Sequence, residues 1–334
     1  MRLRNFVGRR AALATAILFA GAVSAFAADD TEVKAIERVE RGFGAATKYE
    51  QAARFFAPDA ALLDVFTPGY AVGPEEIRKS LEWQFASIKS IDNSFNELSI
   101  MRSGDLACTA SIQHSVVQNP GRTDDVTFVW LDGLRKTNGR WDIVHYHAAF
   151  PLDPKTFENL ANRPVTEQRA TVVHESDWFS GPAIPKAQAE AELRKWADGL
   201  YEAQNPEEAI KYYDDDATMY AGPMPMVRRG RAEILQRIRD DFSGLKSLSA
   251  KIRHSGVITD GVLGIVWSLQ DLDIVTKDGR SAKMNIRQTD CLRRKGGKWL
   301  AVQEIWSYPI DLHTWKGVPV LQYSSGDSTA GAAK

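Results

Sequence analysis

Arg54-Phe55-Phe56-Ala57-Pro58-Asp59-Ala60 reads onto Lys211-Tyr212-Tyr213-Asp214-Asp215-Asp216-Ala217 at a constant offset of 157 residues. The same offset carries Gly73 onto Gly230, Glu76-Ile77 onto Glu233-Ile234, Phe85 onto Phe242 and Gly104 onto Gly261. It becomes 158 only past a turn-rich loop, where Gln118 to Asp125 faces Thr276 to Ala282, and then holds for Asp132/Asp290, Trp141/Trp299, Pro151/Pro309 and Asp153/Asp311. A single residue of slippage placed in a loop is the mark of two copies of one fold.

Each copy reads as helix, helix, helix, then strands. Leu193, Trp196, Ala197, Leu200 and Tyr201 recur at helical spacing, as do Ile77, Leu81, Phe85 and Ile88 in the first copy and Ile234, Ile238, Phe242 and Leu245 in the second. Pro74, just after Gly73, suits a first helical turn. Then come β-branched and aromatic runs at Leu106 to Val117, Val126 to Lys136 and Trp141 to Phe150, joined by turns such as Asn138-Gly139 and Gly296-Gly297. Helices followed by an antiparallel sheet mean α+β. The expected division is a first domain over 29–157, a linker over 158–186 with three prolines and no clear period, a second domain over 187–317, and a disordered tail over 318–334.

The chain has 334 residues, 44% hydrophobic and 25% charged, with 42 basic and 43 acidic side chains. That near-balance gives no electrostatic reason to expect nucleic acid or an anionic membrane as partner. Residues 1–27 have the three parts of a secretory signal: Arg2, Arg4, Arg9 and Arg10, an apolar stretch from Ala11 to Ala22, and Ala25-Phe26-Ala27 before the cut. Cleavage leaves no membrane anchor and places the protein in the periplasm or outside the cell; Arg9-Arg10 hints at twin-arginine export. Without its four arginines the mature chain has 38 basic and 43 acidic residues and is mildly acidic. Cys108 and Cys291 lie in apolar runs of separate copies, so the reading takes them as buried thiols with a bridge as the alternative.

Phe56-Ala57-Pro58-Asp59-Ala60, Ser103-Gly104-Asp105-Leu106-Ala107 and the ending Asn138-Gly139-Arg140-Trp141 to Pro151 resemble a SnoaL-like domain, of the nuclear transport factor 2-like superfamily that includes ketosteroid isomerase. The second copy repeats this frame in Asp214 to Ala217, Arg287-Gln288-Thr289-Asp290 and Gly297-Lys298-Trp299 to Pro309. The resemblance implies two tandem cone-shaped α+β barrels, each a curved antiparallel sheet wrapped around three helices with an internal cavity. It implies no cofactor, and a pseudo-dimer of the two domains through their sheets, with room for a homo-oligomer. It does not select a reaction.

Comparison with ketosteroid isomerase puts Asp64 in the place of the general base and Asp132 in that of the protonated Asp, while the Tyr expected on the first helix falls near Glu40. That enzyme is also a standard example of pKa values split by a dry site. Tyr146 is the best replacement for the missing phenol. On the last strand Trp141, Ile143, His145 and His147 alternate with Asp142, Val144, Tyr146 and Ala148. The ketosteroid isomerase register favours the Tyr146 face as the cavity face, and a one-residue bulge would reverse this. His145 and His147 remain catalytic candidates on the other face. Their spacing also suits a metal, but no third ligand is evident beyond His114, so no metal is expected. Asp132 could instead pair with Arg135.

In the second copy Ala221 occupies the place of Asp64, so that base is absent. Tyr220, Arg287, Asp290, Glu304 and Trp306 could hold a polar aromatic ligand, and Glu304 could supply a carboxylate of its own. The expectation is an exported, cofactor-independent acid/base enzyme, an isomerase, lyase or hydrolase, acting on a small hydrophobic or aromatic molecule in the first cavity. The alternatives are a noncatalytic binding module for such a molecule and an assembly scaffold.

Overall fold

The computed structural model describes residues 31–65, 70–162, 169, 171–174, 178–179, 182–224, 226–311 and 314–318. The segment 1–27 read as an export signal, His313 and nearly all of the segment 318–334 lie outside them. In the first copy a helix over residues 31–44 (α1) is followed by α2 (Tyr49–Ala53), strands β1 (Phe56–Leu63) and β2 (Tyr70–Val72), and α3 (Gly73–Phe85). Four long strands then wrap the helices: β3 (Ser90–Ser103), β4 (Leu106–Asn119), β5 (Arg122–Thr137) and β6 (Arg140–Ala149). The second copy repeats this with α4 (Lys186–Tyr201), α5 (Pro206–Ala209), β8 (Tyr213–Ala221), β9 (Val227–Arg229), α6 (Gly230–Ser243), β10 (Leu245–Thr259), β11 (Leu263–Thr276), β12 (Ser281–Lys295) and β13 (Lys298–Ser307).

The α+β class of the sequence reading is the observed one, with one refinement. A strand stands between the second and third helices of each copy, and it pairs in parallel with the last strand, β1 with β6 and β8 with β13. The sheets are therefore mixed and, with a further strand β7 (Val172–His174), run in the orders β2-β1-β6-β5-β4-β3-β7 and β10-β11-β12-β13-β8-β9. The segment read as linker is partly structured: β7 (Val172–His174) adds to β3 as a parallel edge strand. The β5–β6 and β12–β13 hairpins turn on Asn138-Gly139 and Gly296-Gly297, all four at positive φ, which favours Gly or Asn.

The concave face of each sheet closes over its own helices. Ile36, Phe43, Ile77, Leu81, Trp130 and Tyr146 are among the first core, and Leu193, Trp196, Ile234, Ile238 and Trp299 among the second. Each sheet is pinned to its first helix by an indole: Trp141 Nε1 donates to Glu32 Oε2 at 2.8 Å and Trp299 Nε1 to Glu192 Oε2 at 3.0 Å. The convex faces pack on each other through Met101, Cys108, Leu131, Ile265, Cys291 and Ile305. Within that contact Cys108 and Cys291 form a disulfide with Cα atoms 6.4 Å apart, which corrects the expectation of two thiols. The segments after the last strands cross over: Leu152 N donates to Gly222 O at 2.7 Å and Ile310 N to Val65 O at 2.9 Å, so each copy's tail is stitched to the other copy.

Candidate functional site

The last strand of each copy carries a bulge that decides what faces the cavity. Gly133 pairs with His145 but Leu134 with Ile143, so Val144 is the extra residue; Val302 is its counterpart, opposite the step from Cys291 to Leu292. Trp141 and Ile143 thus share the core with Tyr146 and Ala148, while His145 and His147 turn to the opposite face.

The first cavity has a volume of about 410 Å³ and is lined largely by aromatic rings, among them Phe43, Phe85, Phe128, Trp130 and Tyr146. Trp315, from the tail of the second copy, completes its wall beside Phe150, with ring centroids 6.1 Å apart. Tyr146 stands edge-on to Phe43 at 5.4 Å and to Trp130 at 5.9 Å. Three carboxylates act on its hydroxyl. Burial raises the Tyr146 pKa far above its ordinary 10, and Asp64, Asp132 and Glu40 add to the rise in that order, so the phenol keeps its proton.

Asp132 and Glu40 are completely buried and interact with one another. Thr109 Oγ1 donates to Glu40 Oε1 at 2.7 Å. Burial pushes the Glu40 carboxyl up to about 7 against the pull of that hydrogen bond, and burial together with the Glu40 charge pushes Asp132 well above its usual range. At neutral pH the pair therefore retains at least one proton. Asp64, also buried, accepts from Gln84 Nε2 at 2.5 Å and Ser80 Oγ at 3.1 Å, and Gln84 lines the cavity. The geometry places a proton donor, Tyr146, on the cavity wall and carboxyls behind it. Arg135 pairs with Asp59 at 2.6 Å, not with Asp132.

His145 and His147 do not reach this cavity, and the catalytic role expected of them is not carried forward. His145 Nε2 lies 2.8 Å from Thr289 Oγ1 and its ring stacks on Trp267; His147 Nδ1 lies 3.0 Å from Thr289 Oγ1 and its Nε2 2.8 Å from Ser307 Oγ. Burial pushes His145 down to about 3, and burial, His145 and Arg287 push His147 well down, so both are neutral fastenings between the sheets.

The second cavity measures about 340 Å³. Glu304 and Trp306 line it, and Asp290 is the cross-strand partner of Glu304. Tyr220 and Arg287, expected to bind ligand there, sit elsewhere. Tyr220 donates its hydroxyl to Glu97 Oε1 at 2.9 Å across the inter-copy contact, and Arg287 is buried near His147. Sequence reasoning passed over Glu40 as a partner of Asp132; its only signal was its place on the first helix where the related enzyme has a Tyr. It also passed over Tyr201 and Tyr213, which line the second cavity. Among the described residues, no group of three or more His, Cys, Asp or Glu is placed to hold a metal ion.

The SnoaL-like domain family matches residues 44–153 and again residues 193–302. No curated protein matches the chain. Among solved structures, an NTF2-like protein of unknown function from Pseudomonas putida is 22% identical, with a TM-score of 0.38, covering 41% of this chain and 99% of its own. A ketosteroid isomerase-like protein from Erwinia carotovora atroseptica is 17% identical with a TM-score of 0.31, over 36% of this chain and 95% of its own. A protein of unknown function with a cystatin-like fold from Nostoc punctiforme is 11% identical with a TM-score of 0.32, over 38% and 94%.

Proposed function

Because the chain belongs to the SnoaL-like family, carrying two of its domains in tandem, we propose that its first cavity performs cofactor-independent acid/base chemistry on a small, mostly apolar or aromatic molecule. One observation carries this reading: Tyr146, whose hydroxyl feels the charges of Asp64, Asp132 and Glu40, lines an aromatic cavity. Such a phenol, locked in its protonated form, can donate to an oxygen on which charge develops, as in isomerisation or elimination. Glu40, lifted to about 7, exchanges protons in the physiological range and can reset the Asp132 pair after each transfer. The aromatic walls select neutral, flat compounds and keep water out.

We assign residues 1–27 as an export signal and the periplasm or the exterior as the working compartment. The Cys108–Cys291 bridge supports an oxidising environment. The test is deuterium uptake from D2O at the acidic carbon of 2-tetralone, a neutral aromatic ketone, followed by proton NMR. The expected result is slower exchange by Tyr146→Phe/Glu40→Gln than by the wild type; equal rates overturn the proposal. A binding role without turnover is favoured by a second observation, that Asp132 and Glu40 stand behind the wall rather than on it. Native mass spectrometry that finds a co-purified aromatic compound unchanged, with no exchange by the wild type, would support that reading.

A further inference from the structure

The second copy lacks two of the three carboxylates of the first, since Ala221 stands at the place of Asp64 and Ala197 at that of Glu40. It nevertheless has a carboxyl pair, with Asp290 at the place of Asp132 and a different second acid. Asp290 on β12 and Glu304 on β13 are directly opposed across the sheet, where the first copy opposes Asp132 and Tyr146. The second acid has moved from the first helix to the last strand.

This pair belongs to a connected polar floor under an apolar cavity. Tyr213 donates its hydroxyl to Glu304 Oε2. Gln288 Nε2 lies 3.1 Å from Asp290 Oδ2 and 3.4 Å from Glu304 Oε2. Gln270 Nε2 lies 2.8 Å from Ser268 Oγ, which in turn donates to the Tyr201 hydroxyl at 2.9 Å, so Tyr201 keeps its own proton to offer. Tyr201, Tyr213, Gln270, Gln288 and Glu304 all line the cavity, whose remaining wall is built of residues such as Leu200, Met219, Ile238 and Leu272. A scaffold position would not need an acid that opens into the cavity while remaining only 3% exposed.

We propose that the second cavity is an independent acid/base site, with Glu304 as the base and Tyr201 as the donor, for a neutral and largely apolar carbonyl compound. The carbon–hydrogen bond next to the carbonyl breaks and its proton passes to the Glu304 carboxylate. The electron pair forms a carbon–carbon double bond, and the carbonyl electrons move to oxygen, which Tyr201 holds by its hydroxyl. Return of the proton from Glu304 to carbon completes the cycle without a co-reactant. Asp241, whose charge acts on Glu304, would repel an anion, which sets the preference for a neutral substrate. Burial lifts Glu304 to about 7, so both its protonation states are populated near neutrality, and burial with the Glu304 charge raises Asp290 well above its usual range.

This proposal stands without catalysis in the first copy, and one experiment separates the two. Deuterium uptake by 2-tetralone is measured with the full chain carrying Tyr146→Phe/Glu40→Gln, which disables the first cavity. Exchange should remain on the order of a hundredfold above buffer and fall to the buffer rate when Glu304→Gln is added. Adding Ala250→Trp instead, which fills the cavity wall without touching the pair, should do the same and guards against misfolding by the first variant. Residual exchange at the buffer rate, or exchange that survives both additions, overturns the assignment. Equal rates in the wild type and in Tyr146→Phe/Glu40→Gln would overturn the first-cavity reading alone.

Discussion

Replacing Glu40 by Gln should make the protein more stable at alkaline pH and flatten its pH dependence. A Glu side chain in the unfolded chain titrates near 4.5, whereas burial holds Glu40 at about 7 in the fold. Between those values the folded state binds the extra proton, so stability is highest below about pH 4.5 and falls as pH rises to about 7, beyond which the loss is complete. A rise from 4.5 to about 7 corresponds to about 3.5 kcal/mol at about 1.4 kcal/mol per tenfold change in proton affinity. Gln retains an oxygen that can accept from Thr109 and stays neutral at every pH, so the variant should match the wild type near about pH 4 and exceed it near about pH 8. Glu304 carries the same shift in the second copy, so Glu40→Gln/Glu304→Gln should flatten the pH dependence more than either single variant, and the loss that remains comes from Asp132 and Asp290, which burial also raises. The assay is urea unfolding followed by tryptophan fluorescence across that pH range. A Glu40→Gln midpoint that tracks the wild type at every pH would refute the claim that a buried, proton-holding carboxyl stands at position 40.

Cys108→Ser should lower stability by about 2–4 kcal/mol, since the bridge ties residues 183 apart; in denaturant without reductant the wild type should take up no alkylating reagent, and uptake at two sites would disprove the bridge. His147→Ala strips Ser307 and Thr289 of a buried partner and should cost about 1–3 kcal/mol, while kcat/KM for 2-tetralone exchange stays unchanged; a fall in that ratio would return the imidazole to the site. Trp315→Ala removes one wall of the first cavity and, read in a Glu304→Gln background, should raise KM several-fold with kcat held, by analogy with the loss of about 1 kcal/mol of aromatic contact. An unchanged KM would show that the exchanged tail does not touch the substrate.

The repeat and the hairpins were legible because both depend on local rules, recurrence of residue types at fixed offset and Gly or Asn where φ must be positive. The strand β1 was hidden because Phe56–Leu63 follows a short helix without a break in polarity and pairs in parallel with a strand about eighty-five residues on. The bulges at Val144 and Val302 leave no mark, since a bulged valine looks like any strand valine, yet they settle which residues see the cavity. The histidines were ambiguous for a further reason. A buried imidazole beside Thr289 and Ser307 is fixed by contact with the other copy, and no periodicity within one copy records that contact. Glu40 sits among Glu37, Arg38 and Arg41 on α1, so its burial cannot be told from a solvated helix face until the sheet is wrapped over it.

The two cavities share one fixed element, an Asp on the penultimate strand, and differ in which neighbour is acidic. Two positions approach that Asp, one on the first helix and one directly opposite on the last strand. The first copy fills them with Glu40 and Tyr146, the second with Ala197 and Glu304. Filling both with acids would crowd a third carboxyl against the buried pair and raise every pKa further; filling neither would leave the Asp alone in a dry site. Either single choice gives a pair that holds a proton, but the choice decides what the ligand meets. In the first copy a phenol lines the wall and the carboxyls stand behind it, so the cavity offers a proton. In the second a carboxyl lines the wall with two tyrosines beside it, so the cavity can take one as well as give one. A tandem built this way has reason to keep both copies, because the same buried Asp serves sites of opposite leading polarity.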